Sequence, residues 1–374
     1  METMELIESW AGWSSIKESQ KPEGYEQKLT EVIDLLSNSR RLPPHVHEYM
    51  LKEVMTTSDF PYLFGDVLDR QLLAAWKEVE PVWRPFTKVS TVKDFKTAYR
   101  FKMSDGDQHL DEVAEKGEYL ASSRTETRYS IAVKKYGRQF DVSWETIIND
   151  DLGALADTPQ RFARAAMRTE HRIITGLYAG DVGTHAGGNL FEVGVNAAAT
   201  ALSIASLETA VSTMNQLVDG NGEPILATPK YLVVCPSLEF TARQILTSAN
   251  KMWVYRGTTD AGPTAMPTTN VLPQVGLTLI VDPYLPILDT TSDDEAWYLF
   301  TSPSDLAVLE AAYLRGHESP EICMKNSDKV TVGGGAMGPM SGDFATDNII
   351  YRVREVFGGA KLDWRGSYMG GYQG

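Results

Sequence analysis

The residues most able to bind a metal or carry a nucleophile in this 374-residue chain are six histidines, at positions 45, 47, 109, 171, 185 and 317, and two cysteines, Cys235 and Cys323. A zinc site needs ligands in close pairs, as in CxxC or HExxH, because two donors must reach one ion from a single turn or hairpin. Neither pattern occurs. His45 and His47 share one side of an extended segment and read as a surface pair. Gly333, Gly335 and Gly338 satisfy GxGxxG, but Pro339 and Met340 follow, and no helix begins there to aim its amides at a phosphate. That stretch reads as a connector. Without GxxxxGK[ST] or GxSxG, phosphate-cradle and nucleophile-elbow chemistry lack their usual signatures. The acidic pairs Asp150–Asp151 and Asp293–Asp294 fall in turn or cap settings, where carboxylates are solvated. The expectation is a chain with no catalytic, cofactor-binding or metal-binding residues and no enzymatic activity.

One charged constellation remains. Arg161, Arg164, Arg168 and Arg172 recur at helical spacing in an otherwise acidic protein. The element that must carry them is a helix over 158–179: Asp157 or Thr158 caps it, Pro159 sits in its first turn, and Gly176 and Gly180 loosen its end. Phe162, Ala165, Ala166, Thr169, Ile173 and Leu177 fall in one sector and predict its buried face. Four aligned cations repel one another unless carboxylates or phosphates stand opposite. Three readings follow: a solvated face with local partners such as Glu170, an acidic segment of another copy, or nucleic acid.

The formal charge is -15, from 50 acidic against 35 basic residues, which excludes a protein that grips nucleic acid over its whole surface. With 43% hydrophobic and 23% charged residues, the chain has an ordinary globular composition and length for two or three cores. Two cysteines make no disulfide framework. The opening METMELIESWAGW is acidic where a signal peptide would be basic and then apolar, and no apolar run reaches membrane-span length. A reducing cytoplasm is the expected folding compartment.

Residues 1–57 read as short amphipathic helices broken at Lys21–Gly24 and Pro43–Pro44, and a second helical stretch, Asp59 to Trp83, carries Leu68, Leu72, Ala75 and Trp76 on one face. Two alternating strands follow, Tyr99–Met103 and Tyr129–Val133, around residues 104–128, which hold seven carboxylates and three cations. About 15 residues per arm at roughly 3.3 Å each give an arm on the order of 50 Å, longer than a small domain is wide. Such an arm cannot bury itself, so Leu110, Val113, Tyr119 and Leu120 are expected to find their partners on a neighbouring copy. From Leu207 helix and strand alternate: a helix to Leu217, a turn at 219–222, a strand Tyr231–Val234, a helix from Ser237, and strands Leu277–Val281 and Trp297–Phe300. The Gly/Pro/Thr-rich residues 257–276 read as an exposed loop. After Gly333–Gly335 a strand Ile349–Val356 returns.

This order of elements resembles the Hong Kong 97 fold of tailed-bacteriophage major capsid proteins, and in detail the Mu-type major head subunit. The segments carrying the likeness include TTSDFPYLFGDVLDRQLLAAW at 56–76, YGRQFDVSWETIINDDLGALADTPQRFARAAMRTE at 136–170 and TPKYLVVCPSLEFTARQIL at 228–246. LTLIVDPYLP at 277–286, AWYLFTSPSDLAVLEAAYLRGHESPEI at 296–322 and VREVFGGAKLDWRGSYMG at 353–370 complete it. The resemblance implies an α+β chain: an N-terminal helical segment 1–57, an N-arm with the start of the peripheral domain 58–98, and an E-loop hairpin 99–141. The peripheral domain, with its spine helix, then covers 142–204, an axial α/β domain 205–345, and the return strand and C-terminus 346–374. It further implies hexamers and pentamers of the chain itself, a shell around double-stranded DNA without sequence-specific binding, a portal and a decoration protein as partners, no membrane, and assembly in the host cytoplasm. Some members weld neighbours through Lys–Asn bonds. Lys102, Lys116, Lys134 and Lys135 lie in or near the arm, but no motif selects one, so noncovalent stabilisation is expected. Residues 1–55 are expected to be retained, unlike in members that lose a fused scaffolding segment, and a separate scaffolding protein is expected. The alternatives are an encapsulin-like compartment shell and, remotely, an α/β enzyme without a recognisable motif.

Overall fold

The computed structural model describes residues 81–104, 125–143, 158–219, 222–255, 264–334 and 342–373, with positions 73 and 76. In chain order the described elements begin with strands β1 (Thr87–Val92), β2 (Ala98–Ser104), β3 (Thr125–Ile131) and β4 (Lys134–Ser143) and the helix α1 (Thr158–Tyr178). Then come α2 (Ile204–Asn215), β5 (Pro229–Val234), α3 (Glu239–Thr247), β6 (Asn250–Tyr255), β7 (Thr264–Thr269), α4 (Leu272–Val275), β8 (Thr278–Val281) and α5 (Leu285–Leu288). The series closes with β9 (Trp297–Thr301), β10 (Leu309–Leu314), β11 (Glu321–Met324), β12 (Asn348–Lys361) and β13 (Ser367–Gly370).

The chain divides into two units, one containing Lys135–Met167 and His317–Val356, the other Glu80–Lys134, Arg168–Gly316 and Phe357–Gly374. In the larger unit β1 runs parallel to β10, from Thr87 opposite Leu309 to Val92 opposite Leu314, and the end of β12 pairs antiparallel with β10. A second sheet has the order β13-β9-β5-β8, with β5 and β8 parallel and the other pairs antiparallel. Every residue of β9 and of β10 is buried, the pattern of strands covered on both faces. Leu207, Ala210 and Met214 of α2, spaced three and four apart, pack with Ala242 and Ile245 of α3 on Leu232, Val234, Trp297 and Leu299 of the sheet. A capping box, Ser203 with Ser206, starts α2.

In the smaller unit β11 pairs antiparallel with β12 from Glu321 opposite Arg354 to Met324 opposite Tyr351, and β4 also pairs with β12. Phe140 stacks between Phe162 and Tyr351, with centroids 4.8 and 5.0 Å away. A side chain at Gly137 would meet the Val353 carbonyl at 2.5 Å, so only glycine permits this backbone approach.

Two readings of the sequence need correction, and two strands escape it. The buried face of α1 is formed by Ala163, Ala166, Met167, Glu170, His171, Ile174, Thr175 and Tyr178, whereas Ala165 is exposed and Phe162, Thr169, Ile173 and Leu177 are half-buried. Hydropathy misplaces the face because Glu170, His171 and Thr175 are buried polar groups with partners. Residues 257–276 are not a simple loop: β7 pairs with β6 from Thr264 opposite Tyr255 to Thr269 opposite Asn250, and α4 follows. The strands β1 and β10 carry no alternation that distinguishes them from loop or buried helix, and sequence reading passes over both.

Candidate assembly surface

The hairpin β2–β3 forms a two-stranded sheet of its own, in register from Ala98 opposite Ile131 to Ser104 opposite Thr125. Period-two alternation sends Tyr99 and Phe101 to one side, where both are exposed, Phe101 to 65%. The Arg128 guanidinium lies 4.6 Å above the Tyr99 ring, and Phe95, just before the strand, is exposed as well. Arg100 turns the other way. Its Nε donates to Glu310 Oε1 at 3.1 Å, and Ser90 of β1 donates a second hydrogen bond to the same oxygen. Glu310 is wholly buried in β10, so its carboxylate depends on these donors. The root of the hairpin is thereby pinned to the β1–β10 sheet, and Ile131 and Val133 bury its return. Leu110, Val113, Tyr119 and Leu120 lie outside the described residues, as do Lys116, His45, His47 and Asp150–Asp151.

Arg161, Arg164, Arg168 and Arg172 are all exposed along one side of α1. Among the described residues none of the four stands within ion-pair distance of a carboxylate. Glu170, the one acid on the helix, is buried and accepts a hydrogen bond from the Tyr313 hydroxyl at 3.0 Å. The expectation that it partners the arginines is therefore overturned: a 100° step per residue carries it to the other side of the helix.

A buried polar cluster that sequence reading missed fixes that inner side. Asp282, just after β8, accepts at Oδ2 from Thr175 Oγ1 at 2.6 Å and Tyr178 OH at 2.5 Å, and at Oδ1 from the Tyr284 amide at 2.8 Å, with His171 Nε2 3.0 Å from the same Oδ1. Burial pushes the Asp282 carboxyl up, but His171 and the two hydroxyls outweigh it and hold the group below the ordinary carboxylate range. Burial and the same carboxylate push the Tyr178 phenol well up. His171 and Asp282 are 111 positions apart, and no spacing rule joins them. In the same unit the Tyr298 hydroxyl donates to Asp289 at 3.2 Å and accepts from the Gly180 amide.

The remaining chemistry-bearing residues are engaged structurally. Cys235 is buried against Ser237 and the Asp294 carbonyl, and Cys323 is unpaired with it. His185 stacks on Trp364 at 3.8 Å. Asp293–Glu295 is a short 3-10 turn. Of the GxGxxG glycines, Gly333 occupies a turn, and Gly335 and Gly338 lie outside the described residues. Among the described residues no three His, Cys, Asp or Glu side chains converge as metal ligands, and no helix is long and apolar enough to cross a membrane. What the arrangement offers chemically is display: an aromatic hairpin face and a row of guanidinium groups, each held from beneath by buried ion pairs or hydrogen bonds.

Residues 126–369 match the sequence model of a family described as phage capsid protein. Similar solved structures include one from Gordonia phage Cozz, at 13% identity and TM-score 0.44 over 76% of this chain and 84% of that one. Others are the capsid of the cyanophage P-SCSP1u (10%, TM-score 0.43, 79% and 88%) and a virus-like particle from Pyrococcus furiosus (12%, TM-score 0.43, 82% and 98%). No curated protein matches.

Proposed function

We infer, from the premise that this chain belongs to the phage capsid protein family, how one subunit contributes to a closed shell. The chain is a major capsid protein: a structural, α+β component of the virion, with self-assembly as its activity. The family match favours this reading over the compartment-shell and enzyme alternatives.

The finer assignment is ours. Residues 99–141 act as the extended arm, α1 as the spine of a peripheral domain, 205–345 as the axial domain that converges at ring centres, and 346–374 as the return. Copies meet head to tail, one patch binding a different patch on the next, so that rings of five and six close. The arm lies across the adjacent subunit and buries Leu110, Val113, Tyr119 and Leu120 there, by strand addition or side-chain docking. The observation that carries this reading is the solvent-exposed aromatic side of Tyr99 and Phe101 on a hairpin whose sheet, among the described residues, has two strands. Isolated two-stranded hairpins are marginal in water and need a surface to rest on. A separate scaffolding protein, a portal and a decoration protein complete the particle, which encloses double-stranded DNA and assembles in the host cytoplasm. The net charge of -15 suits a container that must take in and release DNA without holding it.

Deleting residues 105–127 is the direct test. The expected products are soluble folded monomers or small rings in electron micrographs, with circular dichroism close to the parent. Shells of normal size from the deleted chain would remove the arm from the mechanism.

A further inference from the structure

Strand β1 stands at the end of its sheet: it pairs with β10 on one side, and among the described residues no strand takes its other side. Its six residues, at about 3.3 Å each, make an edge of about 20 Å along which alternate amides and carbonyls point outward. Side-chain exposure shows that this edge is open. Lys88, Val89 and Thr91 are exposed, Val89 to 41%, while Thr87 and Val92 at the two ends are buried and anchor the strand.

The edge is also basic. Residues 84–96 hold Arg84, Lys88, Lys93 and Lys96 against a single carboxylate, Asp94, in a chain whose net charge is -15. All four cations are exposed, and so is Arg315, whose amide donates to the Val92 carbonyl at 2.9 Å and sets it next to Lys93 at the end of the strand. Asp94 accepts from the Lys96 amide, and among the described residues no carboxylate stands within ion-pair distance of any of the five cations. Lysines on an edge strand keep identical edges apart, since two copies of β1 laid side by side would bring like charges together. The same charges select a strand that brings carboxylates.

We propose that the outer edge of β1 is a docking strand for an extended acidic segment of a partner protein, which adds to the sheet through backbone hydrogen bonds. Val89 and Thr91, on one face of the strand, receive its apolar side chains. Arg84 and Lys88 at one end, and Lys93, Lys96 and Arg315 at the other, receive its carboxylates. Charge complementarity sets the sign of the partner and the open backbone sets its shape: a phosphate can accept from the outward amides but offers nothing to the outward carbonyls. The inference stands apart from the reading of residues 99–141 as an arm.

Fluorescence anisotropy of the full-length chain with a labelled peptide, Asp-Glu-Val-Thr-Val-Thr-Glu-Asp, tests it. Saturable binding is expected. Methylating one alternate set of peptide amides should weaken it by about tenfold or more, and methylating the other set should change it by less than about threefold, since only one edge of an added strand faces β1. Lys88→Glu with Lys93→Glu should also weaken it by about tenfold or more, and both side chains are exposed, so the fold is kept. Equal binding of the parent peptide and both methylated forms would reduce the strip to a charged surface and overturn the docking strand. So would oligodeoxythymidine that competes with equal affinity, or no peptide binding up to about 1 mM. A parent chain that ignores the peptide, with a lysine-reversed chain that no longer forms shells, would assign the edge to a contact between copies and overturn the proposal as well.

Discussion

Asp282→Ala should be among the most damaging substitutions that touch no intersubunit surface. Thr175 and Tyr178 have no exposed surface, and their hydroxyls donate to this carboxylate at 2.6 and 2.5 Å. Alanine leaves both hydroxyls and the Tyr284 amide without their acceptor and His171 without the neighbouring carboxylate. Each orphaned buried donor costs about 1–3 kcal/mol. Two hydroxyls and one amide, discounted for coupling within one network, give about 4 kcal/mol. That is a large share of the roughly 5–15 kcal/mol that holds a typical domain. Equilibrium urea unfolding of the unassembled full-length subunit reads the loss directly, and Thr175→Val and Tyr178→Phe, which keep the acid and its other donors, should each cost about 1 kcal/mol. The effect also has a pH signature. Because the folded carboxyl is held below its unfolded value, its contribution is complete above the ordinary aspartate range near ~4 and drains away as pH falls through the lower folded value. The parent should therefore lose stability more steeply below about pH 4 than Asp282→Ala does. A cost under about 1 kcal/mol, or parallel acid slopes for the two proteins, would show that the cluster does not tie the helix down.

Two further outcomes follow from the packing. Arg100→Met leaves the buried Glu310 carboxylate with Ser90 as its remaining side-chain donor. With Arg100 36% exposed, the loss should be about 2 kcal/mol, below the full cost of breaking a buried pair, and Glu310→Gln in the same chain should recover part of it in urea unfolding. Gly370→Ala would drive a methyl group into the fully buried Trp297 ring, whose Nε1 donates to the Thr200 carbonyl at 3.0 Å. Unfolding should register about 3 kcal/mol, with a change in tryptophan near-UV circular dichroism.

Elements with punctuation were legible in the sequence. Pro159 and the glycines at 176 and 180 mark the ends of a helix that runs Thr158–Tyr178, and the apolar runs at 231–234 and 297–300 are strands within a residue or two. The rotation of α1 was not legible, because a hydropathy scale counts Glu170, His171 and Thr175 as surface, and only distant residues, Tyr313 and Asp282, make their burial tolerable. Strand β10, LEAAYL, contains a buried glutamate whose partner Arg100 lies 210 positions away, so its central place in a sheet depends on long-range pairing. The arginine row is the reverse case. Its residues and their exposure follow from local spacing alone, and the surrounding fold adds only that the expected neighbour Glu170 points elsewhere.

The inner side of α1 carries hydrogen-bonding teeth instead of smooth hydrocarbon, and this governs how the helix can respond to load. An apolar face tolerates a small twist or slide, since one methyl contact replaces another. Glu170 with Tyr313, and Thr175 and Tyr178 with Asp282, allow no such slippage: a shift of one residue would turn every donor about 100° from its acceptor. The helix is keyed like a splined shaft. A load applied along it would then be transmitted without backlash, and strain must be taken up in segments that lack such teeth.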